Sequence, residues 1–506
     1  MRAALPEKLK KLAHDEAIAP LVLAFKKTFP RGELFLVGGT VRDALLSRSD
    51  RKDYDLVARN VPAPRLEAFL KHRGRVDLVG KRFGVWKFVP KGGEPGRAID
   101  IALPRTEHSF TGGGYRDVTV DSDPALPIEE DLARRDFTVN ALALRLTPSL
   151  VLLDPFEGRA DLRAKTIRTV GNAAERFRED YSRMLRGIRF AAQLGFGIED
   201  YTMQGIRLFM RNIHDVRATP GGNMRIVSTE TIARELLKAF GSNPVAAFDL
   251  CYDSTATDVL LPELLPMRGC EQPPNFHSEG DVWTHTRLAL SRLGDEGFVK
   301  RFGRARPSPL VVMAVLFHDI GKPPAKRTPE EHGTDRIRFN DHDRIGAEMT
   351  EAIARRLTFS APEEVGVDPD RLAWLVRYHL FTVHGNIGEI RPATLEKYFF
   401  NPNQPGAELL QVIYCDSMAT VPEGGIPKTH LQHLDALTRR IEELAALGAG
   451  RKLPPPLLRG EEIMKLRGLS PGPEVGRLIE ALREAQLEGA VKTATEAKKF
   501  IEGLAP

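Results

Sequence analysis

The run Leu36-Val37-Gly38-Gly39-Thr40-Val41-Arg42-Asp43, followed ten residues later by Asp53-Tyr54-Asp55, constrains this chain more than any other stretch. An apolar strand runs into a glycine pair and then into a helix start at Val41, so the backbone turns where no Cβ intervenes. N–H groups bared at such a turn, together with the positive end of the helix, favour phosphate oxygens, and Arg42 adds a cation. Residues at i and i+2 share a strand face, so Asp53 and Asp55 aim their oxygens at one point suited to Mg²⁺, a hard ion that prefers oxygen ligands. A Gly-Gly turn or a D-x-D pair alone is common without chemistry. In this order they form one device, a phosphate cradle beside a metal clamp.

At 506 residues the chain exceeds a single core and predicts roughly three to five units. Lys and Arg total 73 against 68 Asp and Glu, an excess too small to establish nucleic-acid binding by itself, so local basic patches must decide that. Cys251, Cys270 and Cys415 are too few and too scattered for a disulfide framework, which points to a reducing, cytoplasmic setting. Charges such as Lys8, Lys10, Asp15 and Lys26 interrupt the first 29 residues, which read as an amphipathic helix rather than a signal peptide. No apolar run reaches the length a bilayer needs, so no membrane partner is expected.

The pattern predicts an α+β chain. Strand-like runs Glu33–Val37, Tyr54–Val57, Val85–Val89 and Ala98–Leu103 fall among helical pieces, and Thr106 to Pro127, with Gly112-Gly113-Gly114, reads as a mobile loop. From Ala173 onward helix-period segments take over. Pro273-Pro274 and Leu453-Pro454-Pro455-Pro456 mark boundaries. The division expected is a helical extension 1–32, a head 33–161 with a mixed sheet, a helical neck and body 162–272, a helical unit 273–420 and a helical tail 421–506.

Three further segments carry chemistry. Asp100, among apolar neighbours in Arg97-Ala98-Ile99-Asp100-Ile101-Ala102, is either a third carboxylate beside Asp53 and Asp55 or an acid paired with Arg105; the first is preferred. In Arg134-Arg135-Asp136-Phe137-Thr138-Val139-Asn140 the arginines suit phosphate, while Asp136 and Asn140, four apart on an expected helix, suit sugar hydroxyls; a simple helix cap by Asp136 is the plainer reading. Glu179-Asp180-Tyr181-Ser182-Arg183-Met184-Leu185-Arg186 opens a helix whose core stripe is Met184, Leu185, Ile188, Ala191 and Ala192. Asp180 and Arg183, at i and i+3, are either a surface ion pair or a base reader. Cytosine and adenine each offer an exocyclic amine beside an unprotonated ring nitrogen, which a carboxylate and a guanidinium complement, whereas uracil and guanine present the reverse order.

The glycine turn with Arg42-Asp43 and Asp53-Tyr54-Asp55, the segment from Arg134 to Leu142 and the segment from Glu179 to Phe190 are three ordered motifs that resemble the bacterial tRNA nucleotidyltransferase and poly(A) polymerase family over about residues 34–240, with a head similar to DNA polymerase beta. The resemblance implies that Asp53 and Asp55 bind Mg²⁺ and that Gly38, Gly39, Arg42 and Arg135 hold a nucleoside triphosphate. It also assigns Asp136 and Asn140 to the ribose, Asp180 and Arg183 to the base, and Arg186 to further nucleotide contacts. The glycine loop after Arg105 falls where the family has a flexible element linked to the change from CTP to ATP. Glu230-Thr231 stands where many relatives carry Glu-Arg, and Tyr181-Ser182 replaces a smaller or proline-containing pair.

A second set of residues lies downstream. His285 sits in Trp283-Thr284-His285-Thr286, His318 and Asp319 end an apolar run, and His342, His379 and Asp416 follow in separate helical contexts. One histidine on an apolar face is usually a satisfied core residue; four with two aspartates suit a divalent transition metal. Their order resembles the HD phosphohydrolase superfamily over about residues 277–420. That resemblance assigns metal ligation to His285, His318, Asp319 and Asp416, with His342 and His379 available for a second ion, and names Mn²⁺, Ni²⁺ or Co²⁺ as candidates.

The combined resemblance implies a template-independent enzyme that adds or repairs the 3′-terminal CCA of tRNA from CTP and ATP, gripping the acceptor arm through the helical remainder and needing no obligate protein partner. The alternatives are a poly(A) polymerase, or CC-only or A-only addition on the same head. A rival of another class makes the HD unit the working phosphohydrolase and the head an RNA-binding module.

Overall fold

The computed structural model describes residues 5–48, 53–79, 84–93, 98–109, 113–114, 118–219, 222–382, 387–425, 431–447, 455–487 and 489–504. Arg97, Gly112, Leu453 and Pro454, used in the sequence reading, lie outside them. The chain is α+β and divides into two compact units, Met1–Leu260 and Leu261–Pro506.

In the first unit, helices α1 (Glu7–Ala13) and α2 (Ala19–Thr28) deliver Leu9, Leu12, Leu21 and Phe25 to the main core. The sheet contains β1 (Glu33–Val37), β2 (Asp55–Arg59), β3 (Gly74–Val79), β4 (Val85–Pro90), β5 (Ile99–Ala102), β8 (Ala143–Thr147) and β9 (Val151–Leu153), in the order β3-β4-β5-β2-β1-β8-β9. Strands β2 and β5 run parallel; every other neighbouring pair is antiparallel. Strand β1 lies inside the sheet and is buried on both faces. Leu34 and Leu36 enter one core and Phe35 and Val37 the other, which is why its sequence is almost continuously apolar rather than alternating. The chain leaves it through Gly38 into α3 (Gly39–Leu45).

All four expected strand runs form strands. Thr106 to Pro127 differs from the expected mobile loop. Strand β6 (Arg105–Ser109) pairs antiparallel with β7 (Val118–Ser122), and β-branched Thr106, Val118, Thr119 and Val120 favour this extended backbone although the glycines between them hide the pattern. Next come α4 (Ile128–Ala133), a 3₁₀ turn at Thr138–Asn140, α5 (Gly158–Ala164), α6 (Ala173–Glu179), α7 (Ser182–Leu194) and α8 (Thr229–Ser242).

Two local expectations change. Asp136 is not on a helix: Phe137 bridges to Thr169 in extended conformation and only one 3₁₀ turn follows, so Asp136 and Asn140 meet across a turn. Asp180 also precedes its helix, in extended backbone between α6 and α7, where its Oδ1 accepts from the Ser182 N–H at 2.9 Å. The five residues expected to form the α7 core stripe are all buried.

In the second unit, α9 (Val282–Arg292), α10 (Pro309–Phe317), α11 (His342–Arg356), α12 (Pro369–Tyr378) and α13 (Gly406–Ala419) build the helical body. Every residue of α10 from Val311 to Phe317 is buried, as suits a helix apolar on all sides. Helices α14 (Gln432–Leu447), α15 (Gly460–Arg467), α16 (Pro473–Leu487) and α17 (Ala494–Gly503) form the tail, with a small core around Ile463, Leu478, Leu482 and Ile501. No helix among the described residues is long and apolar enough to cross a membrane.

The start of α5 fixes the turn that carries Asn140. The Gly158 N–H donates to Asp154 Oδ1 at 2.6 Å, and a Cβ on Gly158 would sit 2.3 Å from the Thr138 carbonyl oxygen. Gly158→Ala should therefore destabilise this unit by about 1–3 kcal/mol through overpacking against backbone. A lowered urea midpoint at unchanged slope is the expected result; an unchanged midpoint would show that the turn moves freely.

Candidate functional site

The strand-turn-helix at Gly38 draws its neighbours inward. Gly38 has φ +75°, a region that favours glycine, and a Cβ there would lie 2.9 Å from Arg135 Nη1 and 3.9 Å from Asp55 Oδ2. The turn, an arginine from beyond α4 and a carboxylate from β2 thus share one spot. The Thr40 hydroxyl donates to the Asp53 carbonyl at 2.5 Å, tying α3 to the residue that opens the acidic pair.

Asp53 and Asp55 are exposed while Tyr54 between them is buried, as their shared strand face requires. Asp100 sits opposite Asp55 in the parallel register of β2 and β5, so it joins the other two acids. Its neighbour across β4 is Lys87. Crowding by protein atoms pushes the Asp55 carboxyl up to about 6; Arg135 pulls it down, while Asp100 and Asp53 repel it. Asp100 is likewise raised, first by desolvation, against the pull of Lys87 and with the push of Asp53. Carboxylates that disfavour one another's charge are relieved by a divalent cation. Their oxygens are not drawn into a tight cage: among the described residues, groups of three or more ligand atoms within 4.8 Å occur only in the second unit.

Asp131, which the motifs did not single out, organises the arginines. Its carboxylate is fully buried and accepts from Arg134 Nη2 at 2.7 Å through Oδ1 and from Arg135 Nη2 at 3.4 Å through Oδ2. The Arg105 N–H also approaches Oδ1 at 3.4 Å, bringing the base of the β6–β7 hairpin to the same acid. Burial would raise the Asp131 carboxyl, but Arg134 and Arg135 more than offset it and hold it below the usual range.

Asp136 links the sheet to α7. Its Oδ2 accepts from Arg186 Nε at 2.8 Å and Nη2 at 2.5 Å, and its Oδ1 accepts from the Phe137 N–H and from Asn140 Nδ2 at 3.2 Å. Asn140 Oδ1 in turn accepts from Arg42 Nη1 at 2.6 Å. Burial opposes the Asp136 charge, yet the Arg186 guanidinium holds the carboxyl down at about 2. Arg42 is itself buried, tied to Asp43 and Asn140, so it braces the turn as well as charging it. Arg42, Arg186 and Arg189 all lie over the Phe190 ring, and Arg189 pairs with the buried Glu235.

At the start of α7, Ser182 holds Asp180 through both its N–H and its hydroxyl, the latter at 2.6 Å. The departure Tyr181-Ser182 therefore engages one oxygen of Asp180. Arg183 bonds Glu179 at 2.7 Å and the Arg134 carbonyl at 3.2 Å. Tyr181 donates its N–H to the Gly113 carbonyl at 2.9 Å and lays its ring where a Gly113 Cβ would stand. Gly113, between β6 and β7 in the chain, thus rests on Tyr181, the residue that follows Asp180.

The second unit brings its four histidines and two aspartates together. His318 Nδ1 faces the Val315 carbonyl at 2.8 Å, His342 Nδ1 that of Phe339 at 2.7 Å and His379 Nδ1 that of Val376 at 2.7 Å. Nδ1–H donates to each carbonyl, which leaves Nε2 with its lone pair facing the centre. His285 Nε2 lies 3.2 Å from His318 Nε2 and 3.1 Å from Asp416 Oδ1. Asp319 divides its oxygens. Oδ2 is 3.3 Å from His318 Nε2, while Oδ1 is 3.4 Å from His342 Nε2 and 3.8 Å from His379 Nε2.

The Nε2 atoms of His342 and His379 are buried without a hydrogen-bond partner. Orphaned imidazole nitrogens converging on a carboxylate fit a transition-metal ion, which His318, Asp319, His342 and His379 would hold. Burial holds His379 down at about 3, with His342 and His318 adding repulsion, so it stays neutral. Burial would lower His285 as well, but Asp416 and Glu279 lift it to about 9; an entering cation displaces that proton. Lys322, the last residue of His318-Asp319-Ile320-Gly321-Lys322, bonds Asp319 Oδ2 and Gln272 Oε1, each at 2.7 Å; its spacing of three from Asp319 was the signal for it.

Residues 34–168 match the Poly A polymerase head domain family and residues 287–417 the HD domain family. The chain is 33% identical over 94% of its length to the A-adding tRNA nucleotidyltransferase of Deinococcus radiodurans, covering 96% of that protein. It is also 33% identical to the CC-adding tRNA nucleotidyltransferase of Thermus thermophilus, over 93% of each chain. The Multifunctional CCA protein of Xanthomonas campestris is similar at 33% identity over 82% of this chain and 93% of its own. In fold it resembles the Bacillus stearothermophilus CCA-adding enzyme in complex with CTP, with a TM-score of 0.61 and 21% identity over 97% of each chain. The Thermotoga maritima CCA-adding enzyme complexed with tRNA is similar with a TM-score of 0.53, at 19% identity over 98% of this chain and 97% of that one.

Removing the acid that organises the arginines has a measurable consequence. Asp131→Ala removes the common partner of Arg134 and Arg135; breaking a buried ion pair costs about 3–5 kcal/mol, and the partial exposure of both arginines puts this loss at the lower end, about 3 kcal/mol. Equilibrium denaturation checks this, and a loss under 0.5 kcal/mol, the scatter of neutral surface changes, would remove Asp131 from that role.

Proposed function

Because the chain belongs to the tRNA nucleotidyltransferase and poly(A) polymerase family, we propose that it adds or repairs the 3′-terminal CCA of tRNA, using CTP and ATP and releasing pyrophosphate. The observation that carries this reading is the approach of Arg135 and Asp55 to the Gly38 turn, which joins phosphate-binding and carboxylate groups at one backbone position. In the reaction, the 3′-hydroxyl oxygen of the tRNA forms a bond to the α-phosphorus of the nucleotide. The bond from that phosphorus to the bridging oxygen breaks, and pyrophosphate leaves with the electron pair.

Each part of the head then has a task. The Gly38 and Gly39 turn, with Arg42 and Arg135, holds the triphosphate. Asp53 and Asp55 are the Mg²⁺ ligands, the ion supplying Lewis-acid stabilisation of charge on the phosphates. Asp100 we assign as the third carboxylate, receiving the hydroxyl proton. Of the pair assigned to the ribose, Asn140 offers the group that reaches it, through its second Nδ2 hydrogen and the remaining lone pair of Oδ1, while Asp136, its own acceptor sites filled, orients that amide; Asp180 and Arg183 read the amine and ring nitrogen common to cytosine and adenine, and Arg186 keeps Asp136 charged and turned. The helical remainder grips the acceptor arm through phosphates and shape, as suits A-form RNA. A tRNA substrate and three free, buried cysteines favour a cytoplasmic location.

The second unit supports an additional metal-dependent phosphohydrolase activity. His285, His318, Asp319 and Asp416 would hold one ion and Asp319, His342 and His379 a second, with Mn²⁺, Ni²⁺ or Co²⁺ suited to imidazole-rich ligation. The ions would supply an activated water at neutral pH.

Offering tRNA that ends before, within or one nucleotide short of CCA, one nucleotide at a time, tests the main reading. Two cytidines and one adenosine, then arrest, is the expected product. Addition restricted to CC or to A narrows the activity, and open-ended adenylation of unrelated RNA overturns it. Asp53→Ala and Asp55→Ala should each cut addition roughly a thousandfold or more while tRNA binding persists. For the second unit, Asp319→Ala should abolish phosphoester hydrolysis measured with Mn²⁺, Ni²⁺ or Co²⁺ and leave nucleotide addition intact. A wild-type protein without hydrolysis under all three metals removes that activity.

A further inference from the structure

Four histidines turn Nε2 toward the centre of the second unit, but they are held there in two ways. His318, His342 and His379 each rest Nδ1 on the carbonyl three residues earlier, a partner supplied by local backbone. His285 does not. Its Nδ1 lies 2.8 Å from Glu279 Oε1, the side chain of a residue before α9 begins. We infer that Glu279 is a positioning residue for the metal centre, fixing the ring orientation of His285 so that Nε2 faces Asp416 and His318. The inference rests on the reading of this unit as a metal site.

The geometry gives Glu279 no freedom to act otherwise. Its side chain is 4% exposed, and both oxygens are engaged. Oε1 also meets His277 Nδ1 at 2.7 Å, and Oε2 accepts the Val421 N–H at 2.9 Å. The neighbouring Ser278 donates both its N–H and its hydroxyl to the Val421 carbonyl, each at 2.8 Å. The segment therefore joins the start of α9, which carries His285, to the chain just beyond α13, which carries Asp416. One carboxylate sets the ring of one ligand while its own segment fixes the distance to the helix of the other. An imidazole oriented by a carboxylate is also a more basic ligand than one resting on a carbonyl.

His277 shares the carboxylate and packs edge-on against His285 with ring centroids 5.2 Å apart, but its Nδ1 points at Glu279 rather than at the centre. Glu279 keeps Oε2 on the Val421 N–H independently of His277, so His277 is a neighbour of the pair rather than its support. Two of the residues concerned, His277 and Glu279, lie only two apart in the run His277-Ser278-Glu279, close enough for one turn to aim both at the same ring.

Titration calorimetry with Mn²⁺ alone, on full-length wild type and on Glu279→Ala, Glu279→Gln and His277→Ala, tests the inference. Loss of a carboxylate behind a ligating histidine lowers metal affinity by about 10–100-fold, so Glu279→Ala should weaken Mn²⁺ binding to that extent. Glu279→Gln, which keeps an acceptor oxygen, should recover most of it, and His277→Ala should change it less than about threefold. Wild-type affinity in Glu279→Ala overturns the proposal. So does His277→Ala weakening Mn²⁺ as much as Glu279→Ala, because the trio would then be a cation site of its own. The hydrogen-bonded Nδ1–H resonance of His285, read by NMR in the metal-free protein, is a second measurement. It should vanish in Glu279→Ala and persist in Glu279→Gln; persistence in both overturns the proposal. A wild type that binds no Mn²⁺ removes the metal reading of the unit, and this resonance then decides the role of Glu279 alone.

Discussion

The pair between Asp136 and Arg186 is the interaction on which the head depends. Asp136 comes from the turn that follows α4, and Arg186 from the second turn of α7, so their bond joins the sheet to the helical part of the same unit. A buried carboxylate is tolerated only when it is charge-paired and its remaining lone pairs are used, and Asp136 meets both conditions through Arg186, Asn140 and the Phe137 N–H. From Asn140 the chain of bonds continues to Arg42 and Asp43 on α3, back to the glycine turn. A nucleotide that engages this set meets groups already oriented by one another, so little ordering is left for binding to impose.

The same principle explains which residues the sequence made legible. Gly38, Asp53, Asp55 and His318-Asp319 were readable because their chemistry is local: a turn, a strand face, a helix end. Asp100 was readable as one of two alternatives, and the parallel pairing of β2 with β5 sets it opposite Asp55, a neighbour that spacing alone does not reveal. Asp131, Thr40 and Glu279 were not legible. Each acts by meeting a group from another element, or at a distance set by tertiary packing, and an acid in Ile128-Glu129-Glu130-Asp131 looks like any helix start. The hairpin β6–β7 escaped for a related reason, because its pairing becomes visible only when Arg105 is set against Ser122.

The two positions read in the sequence as departures from the resembled family's pattern gain meaning from their partners. Tyr181-Ser182 is more than a substitution in a loop: the serine hydroxyl engages Asp180, and the tyrosine N–H and ring seat Gly113, between β6 and β7 in the chain. The hydroxyl and the N–H of Ser182 both donate to Oδ1 of Asp180, so the two oxygens of that carboxylate are no longer equivalent. Glu230-Thr231 is milder, since Thr231 bonds Ser228 and Arg234 within the first turns of α8.

The two carboxylate-containing sites differ in a way that sorts their ions. In the head, Asp53 and Asp55 stay open to solvent and repel one another, a setting for a small hard cation that keeps part of its water shell and arrives with phosphate. In the second unit the ligands are mostly imidazoles, buried, with Nδ1 already committed to carbonyls or to Glu279, so the rings cannot turn away when no ion is present. A preset cage of this kind favours softer divalent ions and binds them without help from substrate. Mg²⁺, which loses water reluctantly and prefers oxygen, gains little from an imidazole-rich cage, whereas carboxylates accept Mg²⁺ and Mn²⁺ alike. The preference is therefore one-sided: imidazole ligation disfavours Mg²⁺ in the second unit, while the acids of the head do not by themselves exclude a transition metal.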